Sequence, residues 1–251
     1  MKIFEKIENL KNSKPELTQK LLKDLIKEID CLSDDLLNHQ TKSTGDTILH
    51  KLIMCLCHSK LVEIVLKKKI IDLIKKGAKI DIENKNFKTP LDLIFEISNL
   101  DILKWLKENN YIKFKDDHIL KAQNKEVLNY LLNLGLNLNA TNKLGTNLLY
   151  YTILNQDIDF ACYLIKEQKI EIKNAFDFLC EEDIFDFLTK IAFSGDSETF
   201  KILINNYLKD NYEINDLLDE IINDNVLFSD EDDQDSIETT LQEFFKPFYQ
   251  N

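Results

Sequence analysis

Two stretches of the chain place a glycine and the start of a second segment at the same interval. Gly77 is followed twelve residues later by Thr89-Pro90-Leu91-Asp92, and Gly135 is followed over the same interval by Asn147-Leu148-Leu149-Tyr150. A third stretch, Gly45-Asp46-Thr47-Ile48-Leu49-His50, carries only the second half of the pattern. Glycine is expected where a helix ends in a left-handed turn, and a threonine hydroxyl can cap the start of a helix. The interval therefore predicts repeated helical units.

This pattern resembles the ankyrin repeat, whose period is about 33 residues with a T-P-L-H-x-A signature. The resemblance covers residues 43–206 and is most specific over 77–91 and 135–149. A solenoid of plain helical hairpins would explain the helices but not the twelve-residue interval. Asp92 replaces the signature histidine, so the usual Thr–His hydrogen bonding between repeats is in question at that position. The resemblance implies an all-α ankyrin-repeat helical solenoid that acts as a binding module.

The composition favours the same fold class. The chain has 251 residues but only five glycines and three prolines, and all-β folds need more turn residues than this. Solenoids need terminal caps with a polar outer face. We therefore expect an N-terminal helical cap over 1–42, divergent ankyrin repeats over 43–206, and a C-terminal helical cap with an acidic loop over 207–251.

Three repeats depart from the family pattern. Thr47 and Gly77 are 30 residues apart, where the family pattern has about 21, so we expect the second helix of the first repeat to be lengthened. In the third repeat, Ile119, Leu120 and Ala122 are predicted to form the first helix. Gly195 is expected at the tight turn between two helices of a divergent fifth unit.

The charge of the chain disfavours two classes of partner. There is no arginine, and the net charge is −12. Phosphate contacts dominate nucleic-acid affinity, so an acidic chain without guanidinium groups is not expected to bind DNA or RNA. An anionic membrane surface is disfavoured for the same reason. No apolar run reaches the roughly 20 residues needed to cross a bilayer, so membrane insertion is not expected either.

The five cysteines predict a reducing, cytoplasmic setting, because their odd number and scattered spacing do not suggest a disulfide framework. The run Cys55-Leu56-Cys57-His58 invites a zinc interpretation, but its cysteines would point to different sides of a helix. We interpret the run as core. Cys162 lies in an apolar pattern and Cys180 precedes three acidic residues, which disfavours a nucleophilic thiolate. We expect no metal, no cofactor and no small-molecule substrate.

The expected function is therefore binding to another protein through exposed loops and inner-helix positions. In ankyrin proteins these elements line a concave groove, and one predicted finger spans 82–88 while the next spans 140–146. Phe87 stands where the family usually has glycine. Aromatic residues commonly anchor protein interfaces. The predicted partner-binding residues are Lys85, Phe87, Lys88, Leu93, Glu96, Lys143, Leu144, Tyr150 and Tyr151.

Two broader interpretations stay open at this stage. The C-terminal segment is acidic and then carries Leu241, Phe244, Phe245, Phe248 and Tyr249, which resembles C-terminal signals of type IV secretion substrates. This suggests an effector that a bacterium secretes, without a cleavable signal peptide, to bind a host protein. The alternative from another class is an enzyme whose site lies in the divergent region 170–251, where no short catalytic motif occurs.

Overall fold

The computed structural model describes residues 2–11, 15–56, 60–227 and 234–249. Every regular element in these ranges is helical, which confirms the predicted all-α class. The α-helices of this described part are α1 (Lys2–Lys11), α2 (Pro15–Asp30), α3 (Ile48–Met54), α4 (Lys60–Lys75), α5 (Pro90–Glu96), α6 (Leu100–Glu108), α7 (Lys125–Asn133), α8 (Leu148–Leu154), α9 (Ile158–Lys166), α10 (Lys173–Phe176), α11 (Glu181–Ser194), α12 (Ser197–Leu203), α13 (Lys209–Asn211), α14 (Ile214–Leu227) and α15 (Gln234–Phe245). Short 3-10 turns cover Asp34–Leu36, Asp116–Lys121 and Lys246–Phe248, and a π-helical turn covers Ile204–Leu208.

The chain divides into two compact units. Unit 1 comprises Met1–Phe114 and Lys121–Val127, and unit 2 comprises Lys115–Leu120 and Leu128–Asn251. In unit 1 the short helix α3 packs on α4 and on α5, and α5 packs on α6. In unit 2 the short helix α8 packs on α9, α10 and α11. The predicted three-part organisation into caps and repeats stays a prediction.

A residue with a left-handed backbone stands two positions before the capping residue of α3, α5 and α8. Gly45, Phe87 and Gly145 have φ of 73°, 57° and 96°. The capping residue that follows has an extended backbone and begins α3, α5 or α8. Glycine adopts positive φ without steric cost, whereas a bulky side chain does so rarely. This local geometry explains why glycine stands two residues before Thr47 and Asn147.

The start of each inner helix also contacts the following repeat, by different chemistry each time. His50 Nδ1 accepts a hydrogen bond from the backbone N–H of Thr47 at 3.1 Å, and His50 Nε2 lies 2.9 Å from the carbonyl oxygen of Lys88. Because Nδ1 accepts, Nε2 carries the proton that is donated to Lys88. The histidine of the signature therefore links the first repeat to the second.

In the second repeat an ion pair replaces the histidine. Asp92 Oδ2 accepts from the backbone N–H of Thr89 at 2.9 Å and from its hydroxyl at 2.7 Å, while Asp92 Oδ1 pairs with Lys121. Burial raises the pKa of Asp92, but the hydrogen bonds from Lys121 and Thr89 outweigh it, so the pKa is lowered overall. Aspartate in place of histidine thus keeps the contact with Thr89 within the repeat. The contact with the next repeat becomes a charge-assisted hydrogen bond from Lys121.

The tight turns within repeats share a second left-handed position. Ser98 and Gln156 have φ of 51° and 59°, and each precedes a capping residue, Asn99 or Asp157, whose side chain accepts the N–H three residues later. In the fifth unit, Gly195 has φ of 72° and ends α11, and Asp196 then caps α12. The predicted position of Gly195 at a tight turn is confirmed.

The outer helix of the first repeat is longer than those of the others. α4 has 16 residues, whereas α6, α7 and α9 have nine each, which confirms the predicted lengthening. Its lysines form ion pairs at the surface, Lys67 with Glu63 and Asp101, and Lys69 with Asp30. The third repeat differs from its prediction, because the first helix expected there is only a 3-10 turn that ends before Ala122.

Each end of the chain packs its apolar residues into its own unit. At the N-terminus, Ile7 and Leu10 of α1 are buried, and Cys55 is buried with its sulfur 3.8 Å from the carbonyl oxygen of Ile7. The position of Cys55 agrees with a core role. Cys57 and His58 lie outside the described residues, as does most of the acidic run at 229–235.

The C-terminal aromatic residues form a cluster in unit 2. Phe244, Phe245 and Phe248 lie 4.9 to 5.5 Å from the ring of Phe200, measured between ring centroids. Phe245 and Phe248 are buried. The cluster joins the last helical segment to α12, so these side chains stabilise the fold of unit 2.

We expect a pair of glycine substitutions to separate backbone strain from steric clash. A Cβ added to Gly135 would contact no atom within 4 Å, so Gly135→Ala should lower the free energy of unfolding by about 1 kcal/mol through its φ of 86° alone. A Cβ added to Gly45 would lie 2.9 Å from the backbone nitrogen of Lys85. Gly45→Ala should therefore cost clearly more in urea denaturation, and equal costs would contradict the close approach.

The Asp92 ion pair predicts a pH-dependent loss of stability. Because the folded pKa of Asp92 is lowered, its stabilisation is present above the unfolded pKa and is lost as pH falls through the folded pKa. Asp92→Asn should reduce the free energy of unfolding at pH 7 by about 1 to 2 kcal/mol. The difference between wild type and variant, measured by urea denaturation between pH 7 and pH 3, should shrink as pH falls. A difference that does not depend on pH would contradict a charge-assisted link.

Candidate protein-binding surface

The finger of unit 1 that spans 82–88 holds Phe87 outward on a fixed turn. The backbone N–H of Asn84 donates to the carbonyl oxygen of Lys88 at 2.9 Å, and that of Phe87 donates to the carbonyl oxygen of Asn84 at 3.0 Å. The side-chain oxygen of Asn84 accepts from the N–H groups of Asn86 and Lys88. Phe87 is 82% exposed at this tip.

Phe87 occupies the left-handed position that is Gly45 before α3 and Gly145 before α8. At Gly45 the glycine is needed for space, because a Cβ would lie 2.9 Å from the backbone nitrogen of Lys85. A Cβ on Gly145 would lie 3.1 Å from the ring of Phe178, which would have to shift slightly. With 82% of Phe87 exposed, no neighbouring finger packs against it. The position therefore combines a strained backbone with an exposed aromatic ring, and neither contributes to folding.

The other predicted residues of unit 1 differ in their placement. Lys88, which follows Phe87 in sequence, and Glu96, the last residue of α5, are exposed and form an ion pair. Lys85 is exposed, and its ammonium group donates to the carbonyl oxygen of Lys42 at 2.7 Å. Leu93 is only 8% exposed and belongs to the core, so the expectation that it faces outward is wrong. It fails because an inner-helix position that faces the groove in one repeat can pack inward in the next.

The finger of unit 2 that spans 140–146 repeats the same hydrogen bonds. The side-chain oxygen of Asn142 accepts from the N–H groups of Leu144 and Thr146 at 2.8 and 3.1 Å, as Asn84 does in unit 1. Leu144 is 75% exposed at the tip, and Lys143 beside it is also exposed. Sequence reasoning missed the asparagines, although each stands five residues before the capping residue of its repeat.

The two predicted tyrosines of unit 2 connect the finger to α8. Tyr151 accepts a hydrogen bond from the side-chain N–H of Asn142 at 2.6 Å, and the hydroxyl of Thr146 lies 3.3 Å from it. Tyr150 and Tyr151 contact each other edge to face, with ring centroids 5.3 Å apart. Both are half-buried. Their rings border the surface while the Tyr151 hydroxyl holds the finger.

Three further exposed apolar residues of unit 2 were not among the predicted site residues. Leu154, Phe178 and Phe193 are 42%, 47% and 49% exposed. Leu154 and Phe193 stand at equivalent positions, each three residues before the aspartate that caps the next helix, on the contacting helices α8 and α11. The signal that could have found Phe193 is this equivalence, since the same position is apolar in both repeats.

The described residues hold no clustered metal ligands. They contain no group of three or more His, Cys, Asp or Glu side chains placed to hold a metal ion. Cys162 is buried, and desolvation raises the pKa of its thiol to about 11, so it is protonated at neutral pH. Among the described helices, none has the length and apolarity to cross a membrane.

Comparison with known proteins identifies the repeat. Residues 117–165 match the family model described as ankyrin repeats (many copies). An ankyrin repeat protein of fowlpox virus (strain NVSL) is 32% identical over 97 residues, which cover 36% of this chain and 23% of that protein. The chain therefore matches less than a quarter of the length of this curated relative. Residues 117–165 therefore match the ankyrin repeat, and the repeated caps and turns of the fold agree with that similarity.

Proposed function

We propose that the chain binds a partner protein through the fingertip of unit 1, with Phe87 as the central anchor. Ankyrin repeats generally mediate protein–protein interaction. The observation that carries the proposal is Phe87 itself, which is 82% exposed at φ of 57°. Glycine at this position would relieve the strain, so folding alone gives no reason for an aromatic side chain there. Strained residues of this kind cluster at ligand-binding sites.

The surroundings of Phe87 suit the rim of a protein interface. Interfaces place an apolar anchor centrally and surround it with polar groups that remain accessible to solvent. Lys88, just before α5, and Glu96, at its end, form an exposed ion pair, and such pairs contribute little to stability. They can exchange their mutual contact for contacts with a partner. Lys85 adds a further cation at the base of the finger.

Unit 2 offers a second set of binding residues that we propose for the same class of partner. Leu144 and Lys143 lie at its fingertip, and Leu154 and Phe193 project from its inner helices. Tyr150 and Tyr151 border this set. Scattered exposed apolar residues are common, but fingertip and inner-helix positions recurring in successive repeats favour binding.

The finer interpretations stay predictions. An effector that acts on a host protein was suggested by the C-terminal aromatic residues, and packing against Phe200 accounts for Phe245 and Phe248 within the fold. A reducing compartment agrees with the four described cysteines, which are all free thiols. An enzymatic site in 170–251 has no metal-binding cluster among the described residues to support it.

Phe87→Gly and Phe87→Ala should differ in stability but should both lose partner binding. Phe87→Gly should raise the free energy of unfolding by about 1 kcal/mol relative to Phe87→Ala, because only glycine adopts the left-handed backbone without strain. Both variants remove the ring and should bind a partner equally poorly. Urea denaturation checks the first statement. Equal stability of the two variants would contradict a strained position.

Loss of the ring should weaken partner binding at least about thirtyfold, because truncation of a central anchor typically costs about 2 kcal/mol or more. A partner captured with the wild-type chain would be titrated against Phe87→Ala by calorimetry. Ile64→Ala is the matched control, since Ile64 is 61% exposed on the outer helix α4 of the same unit. Tyr151 is not a suitable probe, because its hydroxyl holds the neighbouring finger. Unchanged binding by Phe87→Ala, or equal loss with Ile64→Ala, would refute the anchor.

A further inference from the structure

A cleft of about 610 Å³ lies within unit 2, and none of the residues assigned above to protein binding lines it. One side of the cleft is the end of α9 and the loop that follows it, and the other side is the end of α12. Ile165, Ile170 and Ile172 line it and are at most 7% exposed, while Ile202 is half-buried. Small-molecule sites have volumes of about 300–1,000 Å³ and mostly apolar walls. The volume therefore lies in the range of ligand sites, and the walls combine four isoleucines with polar side chains.

Three lysines stand at this cleft against one acidic residue, in a chain whose net charge is −12. Lys166 is already paired, since its ammonium group lies 2.7 Å from Asp196, the capping residue of α12. Among the residues that the structure describes, Lys169 makes no ion pair and is exposed. The cleft thus combines one structural cation with at least one that is available.

Lys173 is also available for a ligand. Its ion pair with Asp177 joins residues four apart on the surface, with 74% of the lysine side chain exposed. Exposed pairs of this kind contribute little to stability, so the lysine can exchange this partner for a ligand. The acidic residue, Glu171, accepts from the side chain of Asn174 at 2.8 Å, and both residues line the cleft. Beside its isoleucines the cleft therefore presents two cations that can accept a ligand, together with one carboxylate.

The loop that carries these lysines is held rigidly. Lys169 has a left-handed backbone with φ of 55°, and the N–H of Ile170 donates to the carbonyl oxygen of Leu164 at 3.1 Å. Glu171 donates its backbone N–H to the side chain of Asn139 and accepts from Asn147 at 2.7 Å. A rigid loop loses little entropy when a ligand binds.

The opposite wall contains the π-helical turn Ile204–Leu208. This turn follows directly after α12 and brings Asn206 to the cleft, where the Asn206 side-chain N–H donates to the carbonyl oxygen of Ile202 at 2.7 Å. π-turns are rare and occur frequently at functional sites. The widened turn is a second feature, independent of the lysines, that distinguishes this part of unit 2.

We propose that the cleft binds a small organic anion with an apolar body. The acid group would pair with Lys169 and Lys173, and the apolar body would pack on Ile170 and Ile202. An inorganic anion would leave the apolar walls unused, and an uncharged apolar molecule would leave the two ammonium groups unused. Charge and shape together favour a ligand that has both parts.

Octanoate is the probe for this proposal, with octan-1-ol as its uncharged counterpart. Titration of the full chain, labelled at isoleucine methyl groups, should shift the methyl signals of Ile170 and Ile202 in a saturable way and leave that of the exposed Ile64 unchanged. We expect a dissociation constant on the order of 1 mM or tighter for a ligand of this size. Octan-1-ol should bind at least about tenfold more weakly.

The double variant Lys169→Gln with Lys173→Gln should weaken octanoate binding at least about tenfold and leave octan-1-ol binding unchanged. Lys113→Gln with Lys209→Gln is the matched control, because it removes two exposed lysines that do not line the cleft. Circular dichroism verifies folding, and each single Gln variant serves if the double variant unfolds. The proposal is overturned if wild type shows no binding, if the cleft variants bind octanoate normally, or if both double variants lose it equally.

Discussion

Hydrogen bonding at the start of each inner helix determines how the repeats of this chain are built. The first turn of a helix leaves backbone N–H groups without partners inside the helix. Here Thr47, Thr89 and Asn147 lie at these starts, and a left-handed residue two positions earlier brings each one into place. The finger, the cap and the contact to the next repeat are therefore one connected structure. A change at any of them affects both the local helix and its neighbour.

A contact to the next repeat recurs at the start of these inner helices, but its chemistry changes and its position shifts from the third helical residue to the capping residue. His50 reaches the carbonyl oxygen of Lys88, Asp92 pairs with Lys121, and the side chain of Asn147 donates to Glu171 at 2.7 Å. Any side chain that satisfies the first helical turn and extends a second polar atom outward is sufficient. This freedom explains how a repeat can lose its signature residues and still pack on the next repeat.

Several features were predictable from sequence because they depend on backbone conformation. The glycine interval predicted the left-handed turns and the helix starts, and the excess length before Gly77 predicted the long α4. Side-chain placement was less predictable. Leu93 is core, whereas Tyr151 at the equivalent position is half-buried and bonded to Asn142, so equivalent positions are not equally buried in the two repeats. The cleft beside Lys169 had no signal either, since its walls come from segments about 30 residues apart.

The contrast between Phe87 and the two glycines that share its position links folding to function. A Cβ on Gly45 would lie 2.9 Å from the backbone of Lys85, and a Cβ on Gly145 would lie 3.1 Å from the ring of Phe178, which would have to shift. At Phe87 that packing is missing, so the steric requirement for glycine is removed, but the backbone cost of a bulky side chain in a left-handed conformation remains. Selection for stability alone would retain glycine at such a position. An exposed aromatic ring at this costly position is explained if the ring is buried in a complex. The free energy gained by removing its apolar area from water then exceeds the strain energy of the backbone.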